Sequence, residues 1–217
     1  MRKQENVRKQ VQVRIILSEL EKLYPDASCS LDFDGDSFHF LVRSILSAQC
    51  TDKRVNHLTS TLFDKYPGMR EFAAAETSEL GEDIKSCGLY RAKSRAIKAT
   101  SGILLERYDG HVPSESRDLE SLPGVGRKVA NLIRGELFGI PGVVVDTHCA
   151  RVAKRLGLSD SDYPVQVEKD LMACIPKDNW ITLGHRFVAH GRAVCTARKP
   201  LCEACPLREV CRYAKRP

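Results

Sequence analysis

The stretch that decides the reading runs from Leu122 to Asp146, LPGVGRKVANLIRGELFGIPGVVVD. LPGVG sits between two helical segments, one ending at Ser121 and one over about 126–137. Gly124 and Gly126 permit positive φ and close backbone approach, while Val125 can plug the space between the helices. The amides just after the turn are the unsatisfied donors of a helix N-terminus, a natural seat for a phosphate. Pro-Gly-x-Gly by itself also makes ordinary helix–helix turns. The basic pair Arg127-Lys128, placed in the first turn, tips the balance towards an anion. The stretch closes on Asp146, which follows three valines and precedes another helix, the position of an N-cap.

Outward from this stretch the apolar spacing is helical in both directions. Val7, Val11, Ile15, Leu20 and Leu23 give residues 6–23 an apolar stripe, stopped by Pro25. Residues 26–36 are rich in Asp, Ser and Gly and predict a loop. Phe38, Leu41, Val42, Ile45 and Leu46 mark a buried helix ending near Ser47. The turn AQCT then leads to a helix carrying Val55, Leu58, Leu62 and Phe63, which stops before Pro67-Gly68. Short helices follow at 69–75 and 77–86, then a long one over 91–107 closed by Asp109-Gly110. Ser114 is placed to cap a short helix ending at Ser121. Past Asp146, helices run to Gly157, over 164–175 and over 178–193. Only Val143-Val144-Val145 hints at a strand. The chain is expected to be all-α.

Composition limits the partners. The formal net charge of +6 is unevenly spread. Arg186 to Pro217 holds eight Lys/Arg against two acids, while the rest holds 26 of each. A basic block around a cysteine cluster points to a polyanion. The N-terminus alternates charged and apolar residues without a signal-peptide core, and no apolar run approaches the roughly 18 residues that span a bilayer. A reducing, cytoplasmic setting with no membrane partner is expected, and there clustered cysteines suggest a metal before disulfides.

Cys195, Cys202, Cys205 and Cys211 are spaced C-x6-C-x2-C-x5-C. Four thiolates joined by loops containing Pro200 and Pro206 can converge on one centre, and spacing alone leaves zinc and a 4Fe–4S cluster level. Cys29, Cys50, Cys87, Cys149 and Cys174 are scattered and predict small buried apolar groups. Arg198 and Lys199, between the first two cysteines of the tail, are candidates to meet phosphate. Thr147 and His148 follow Asp146; His148 and, one turn on, Arg151 are candidate phosphate contacts.

The motifs carry a resemblance. LPGVGRKVAN resembles the helix–hairpin–helix of the endonuclease III family of DNA glycosylases, and GIPGVVVD is similar to that family's Gly/Pro-rich loop ending in aspartate. The likeness continues through VDTH at 145–148 and HGRAVC at 190–195, and upstream through LSAQCTD at 46–52 and CGLYRAK at 87–93. It covers nearly the whole chain in order. Cys50 and Cys149 depart from the residues more familiar beside those motifs.

The resemblance implies two helical lobes. Residues 30–140 would carry the hairpin, and 1–29 plus 141–217 would form an iron–sulfur domain with a C-terminal four-cysteine loop. It implies a bifunctional DNA glycosylase and abasic-site lyase that excises oxidised pyrimidines and works as a monomer. The partner would be double-stranded DNA with damaged bases or abasic sites, in a bacterial or archaeal nucleoid, bound across the cleft between the lobes. Lys128 would be the nucleophile, since an amine attacking the anomeric carbon gives a Schiff base that makes β-elimination feasible. Asp146 would be the catalytic carboxylate. Cys195, Cys202, Cys205 and Cys211 would hold a 4Fe–4S cluster.

A base inside the stack is out of reach, so the duplex must open. The resemblance places Gln49 as a plug and Leu89 as a wedge; Asp52 is then expected to cap the next helix, and Arg91, Lys93 and Arg95 to line the backbone. The rivals are a monofunctional glycosylase, which Lys128 and the short segment after Cys211 oppose, a non-catalytic hairpin module, and a zinc protein.

Overall fold

The computed structural model describes residues 2–215, with side chains from residue 7 onward. Met1, Arg216 and Pro217, the outer ends of the expected 1–29 plus 141–217 lobe, lie outside the described residues. Those residues form eleven α-helices and no strand. They are α1 (Arg2–Leu23), α2 (Ser37–Leu46), α3 (Asp52–Lys65), α4 (Met69–Ala74), α5 (Thr77–Asp83), α6 (Tyr90–Arg107), α7 (Ser116–Ser121), α8 (Arg127–Phe138), α9 (Thr147–Leu156), α10 (Pro164–Cys174) and α11 (Trp180–Ala193). Among them no helix is long and apolar enough to cross a membrane. The chain divides into one unit of Cys29–Ile140 and one of Met1–Ser28 with Pro141–Pro217.

The first unit contains α2 to α8. Asp36 starts α2 by accepting the amides of Phe38 at 2.7 Å and His39 at 3.0 Å, satisfying donors that a helix start leaves open. The helix then buries Phe38, Phe40, Leu41, Val42, Ile45 and Leu46. α6 packs on α4 and α5, and α8 on α2 and α7, around Phe72, Leu80, Ile97, Leu104, Leu119 and Ile133. Each such side chain contributes roughly 1.5–3 kcal/mol by leaving water.

Three local expectations change here. Thr51, rather than Asp52, occupies the cap position of α3, and Asp52 is its first residue. The helix expected over 77–86 breaks at Ile84 into a 3₁₀ turn, Lys85–Cys87, because positive φ at Gly88 (65°) and Leu89 (48°) turns the chain into α6. Ser114 does not cap α7; Glu115 stands at that position, and Ser116 bonds the Glu120 carboxylate at 2.8 Å instead.

The second unit gathers α1, α9, α10 and α11 around Ile16, Leu20, Val152, Ala153, Leu171, Leu183, Phe187 and Leu207. Of the stripe expected on α1, only Leu20 is buried. Val13, Ile16 and Leu20 are buried, while Val7, Val11, Ile15 and Leu23 are exposed. Both sets obey helical spacing, and the face that meets α11 and α10 is the one that is buried. Val143 and Val145 are buried without forming a strand.

Candidate functional site

In the unit of Cys29–Ile140 the hairpin joins α7 to α8. Leu122 and Val125 are buried and hold it down, and Thr100 on α6 donates to the Pro123 carbonyl at 2.9 Å. Gly124 has φ 82°, and a Cβ there would stand 3.0 Å from the Ala96 Cβ and 3.1 Å from the Ile45 Cγ2. It is irreplaceable on both counts. Gly126 is different from the expectation for it: its φ of −93° is ordinary extended backbone, and nothing lies within 4 Å of where its Cβ would be. Its service is to cap α8 with no side chain, so the first amides of α8 receive no side-chain cap bond.

Arg127 and Lys128 are exposed in that turn. The Lys128 side chain takes no part in the hydrogen bonds and ion pairs among the described residues. The Cys29 thiol, pushed up to about 11 chiefly by burial, also feels Glu136, Asp52 and Lys128. A protonated thiol therefore lies near the Lys128 amine.

Two turns of the same unit present Gln49 and Leu89. Both are exposed, Leu89 by 53%, and both are left-handed, at φ 53° and 48°. Left-handed backbone at a residue with a side chain costs about 1–3 kcal/mol and persists where surrounding structure enforces it. Arg91 and Arg95 are exposed, but Lys93 is not the backbone-lining residue expected. It is 4% exposed, and its Nζ donates at 2.8 Å to both the Leu46 and the Cys87 carbonyls.

In the other unit Asp146 caps α9, its carboxylate accepting the Cys149 amide at 2.7 Å. That bond fixes the orientation of the carboxylate. Cys149 is fully buried, and burial first, then the Asp146 charge, pushes its thiol well above the usual range. His148 lies 3.1 Å from the Arg151 guanidinium. Arg151 turns donors inward, to the Cys195 carbonyl at 3.0 Å and the Gly191 carbonyl at 2.9 Å. Gly191 explains the glycine of the HGRAVC motif. A Cβ there would meet His148 at 2.9 Å and Arg151 at 3.0 Å, so α11 could not lie this close to α9.

Cys195, Cys202, Cys205 and Cys211 line one pocket, together with Arg155, His190 and Tyr213. Among the described residues no three His, Cys, Asp or Glu side chains close on a single-ion geometry. The four thiols ring a space instead, which fits a polynuclear cluster whose ligands are set apart by its width. Arg198 and Lys199 are exposed on the loop, which the Thr196 hydroxyl closes by donating to the Lys199 carbonyl at 2.7 Å.

Two residues around this cavity escaped the sequence reading. Arg155 donates to the Cys195 sulfur at 3.3 Å, the Thr196 carbonyl at 2.7 Å and the Ala197 carbonyl at 2.8 Å, and stacks on Tyr213. Its place four residues after Arg151, on the same face of α9, was the available signal. His190 is 2% exposed and lies between the Tyr24 hydroxyl (3.2 Å) and the Cys205 sulfur (3.6 Å). Burial pulls it down to about 4, so at neutral pH the ring is uncharged. The uncharged ring carries a single proton, so it donates at only one of these two contacts.

Comparison with known proteins bears on all of these parts. The HhH-GPD superfamily of base excision DNA repair proteins matches residues 42–177, and the iron–sulfur binding domain of endonuclease III matches residues 195–211, which begin and end on cysteines of the tail. Endonuclease III of Synechocystis sp. is 45% identical over 201 residues, spanning 92% of this chain and 91% of that one. A non-covalent endonuclease III–DNA complex is 44% identical with a TM-score of 0.90, over 95% of this chain and 96% of that one. A trapped endonuclease III–DNA covalent intermediate, an estranged-adenine complex, gives the same identity and TM-score, over 95% and 97%.

Proposed function

The chain belongs to the endonuclease III family of HhH-GPD base excision DNA repair proteins, and from that premise we propose that it excises oxidised pyrimidines from duplex DNA and cleaves the resulting abasic site through a Schiff base on Lys128. It is an enzyme, a DNA glycosylase with abasic-site lyase activity, and its cofactor is a 4Fe–4S cluster.

The observation that carries the reading is the start of α8. An uncapped helix N-terminus, opened by Gly126 and carrying the exposed Arg127 and Lys128, offers amides to a DNA phosphate and an amine beside it. The neutral Lys128 amine attacks C1′ as the bond to the base breaks and the base leaves with the electron pair. Opening of the sugar ring gives the protonated imine. A proton leaves C2′, the C3′–O bond breaks, and the 3′ phosphate departs; water then releases the enzyme. Asp146, held by the Cys149 amide, stabilises the oxocarbenium-like sugar or accepts a proton. The covalent DNA intermediate trapped with a 44% identical endonuclease III supports the nucleophilic route.

Around this chemistry Gln49 and Leu89 enter the duplex, and Gly124, Gly126, Arg127, His148, Arg151, Arg198 and Lys199 contact its backbone. For Arg151 the internal bonds make this a contact through remaining donor capacity. Cys195, Cys202, Cys205 and Cys211 hold the cluster, which when bound cross-links the tail and orders the loop bearing Arg198 and Lys199. The assigned domains are 30–140 with the hairpin and 1–29 plus 141–217 with the cluster, in a protein acting as a monomer on bacterial or archaeal chromosomal DNA.

Borohydride trapping on a duplex with one thymine glycol tests the reading. A covalent adduct is expected with the wild type and none with Lys128→Ala. Base removal by a wild type that never traps would refute the Schiff-base route.

A further inference from the structure

Lys93 is a buried lysine with no place in the chemistry above. It lies in the first turn of α6, 4% exposed, so no substrate atom can reach it. Burial depresses its basicity, opposed by the nearby Cys87 and Cys50 thiols. Its ammonium serves two main-chain oxygens at 2.8 Å, of Leu46 and of Cys87. Burying a cation against neutral carbonyls is unfavourable compared with an apolar side chain of the same shape, so the arrangement calls for a reason in function.

The two carbonyls supply it. Leu46 is the last residue of α2, whose closing carbonyls have no partner within the helix, and Gln49 follows in the next turn. Cys87 ends the 3₁₀ turn that leads through Gly88 to Leu89. The Lys93 amide also donates to the Leu89 carbonyl at 3.0 Å. One residue thus fixes the base of both turns whose exposed tips are left-handed at non-glycine residues. Such tips hold their conformation where neighbouring structure enforces it.

We propose that Lys93 is a positioning residue that ties the Gln49 turn to the Leu89 turn, so that the two side chains enter the duplex as a fixed pair. This rests on the reading, made above, that both residues enter DNA. Lys93→Met keeps the length and removes the donors; Lys93→Arg keeps donors.

With cluster-loaded protein, three quantities are measured for each variant: 2-aminopurine fluorescence beside a thymine glycol, which reports unstacking in the duplex; single-turnover base removal; and cleavage of an abasic single strand, which has no stack to open. Lys93→Met is expected to lose most of the unstacking signal and at least about tenfold in duplex base removal, with single-strand cleavage retained and Lys93→Arg intermediate. Wild-type unstacking and excision by a folded Lys93→Met would overturn the proposal. Gln49→Ala and Leu89→Ala separate it from its premise. If they lower unstacking while Lys93→Met does not, the tie alone fails; if they too are silent, the insertion reading fails with it. Should Lys93→Met not fold, the cycle of Gln49→Ala and Leu89→Ala decides: non-additive losses of unstacking support a fixed pair, and additive ones refute it.

Discussion

Two helices of this protein begin in opposite ways. α8 opens on Gly126, which gives its first amides no side-chain partner, and a basic pair follows. α9 opens on Asp146, whose carboxylate already accepts the Cys149 amide. The first start has no carboxylate of its own. The second has brought its own. A helix N-terminus is the same electrostatic object in both places; the capping residue decides whether it binds a ligand or orients a side chain.

The largest effect expected on this contrast comes from the open end. Lys128→Ala should abolish trapping and lower strand cleavage by about 10³ or more, with duplex binding retained, because the amides remain. Gel-based single-turnover cleavage and fluorescence anisotropy check both halves. Next is the closed end. Asp146→Asn keeps an oxygen for the Cys149 amide, so melting should barely change while base removal slows by roughly 10²–10⁴; near-normal turnover would take Asp146 out of the mechanism.

Converting one start into the other is the third test. Gly126→Asp would cap α8 from within, shifting stability by a few tenths of a kcal/mol and weakening DNA binding about tenfold as a carboxylate displaces phosphate. Unchanged affinity would mean that the open amides are not the phosphate seat. The smallest effect belongs to a third helix start, Asp36 on α2, which is capped as Asp146 is. Asp36→Ala should cost about 1 kcal/mol in denaturant unfolding and leave the rate of base removal alone, separating capping from catalysis.

The sequence showed these starts unequally well. Asp146 was readable because a carboxylate before a helix has one common local role. The roles of the two glycines were not: Gly124 needs its positive φ and its contact with Ala96, Gly126 needs only to lack a side chain, and the same letter stands for both. On α1 two apolar faces have the same periodicity, and only packing in three dimensions kept Leu20 and chose Val13 and Ile16 over Val7, Val11 and Ile15. Lys93 read as a surface cation because lysines usually are; its partners are carbonyls, which no side-chain pattern announces. Arg155 and His190 were missed because their roles arise from a fold that brings α9 and α11 to the tail.

The thiols outside the tail carry a consequence of their own. Cys29 and Cys87 are each pushed up to about 11, and Cys149 and Cys174 are also raised, all chiefly by burial. Peroxide attacks the thiolate, so these four sulfurs present almost none of the form that reacts.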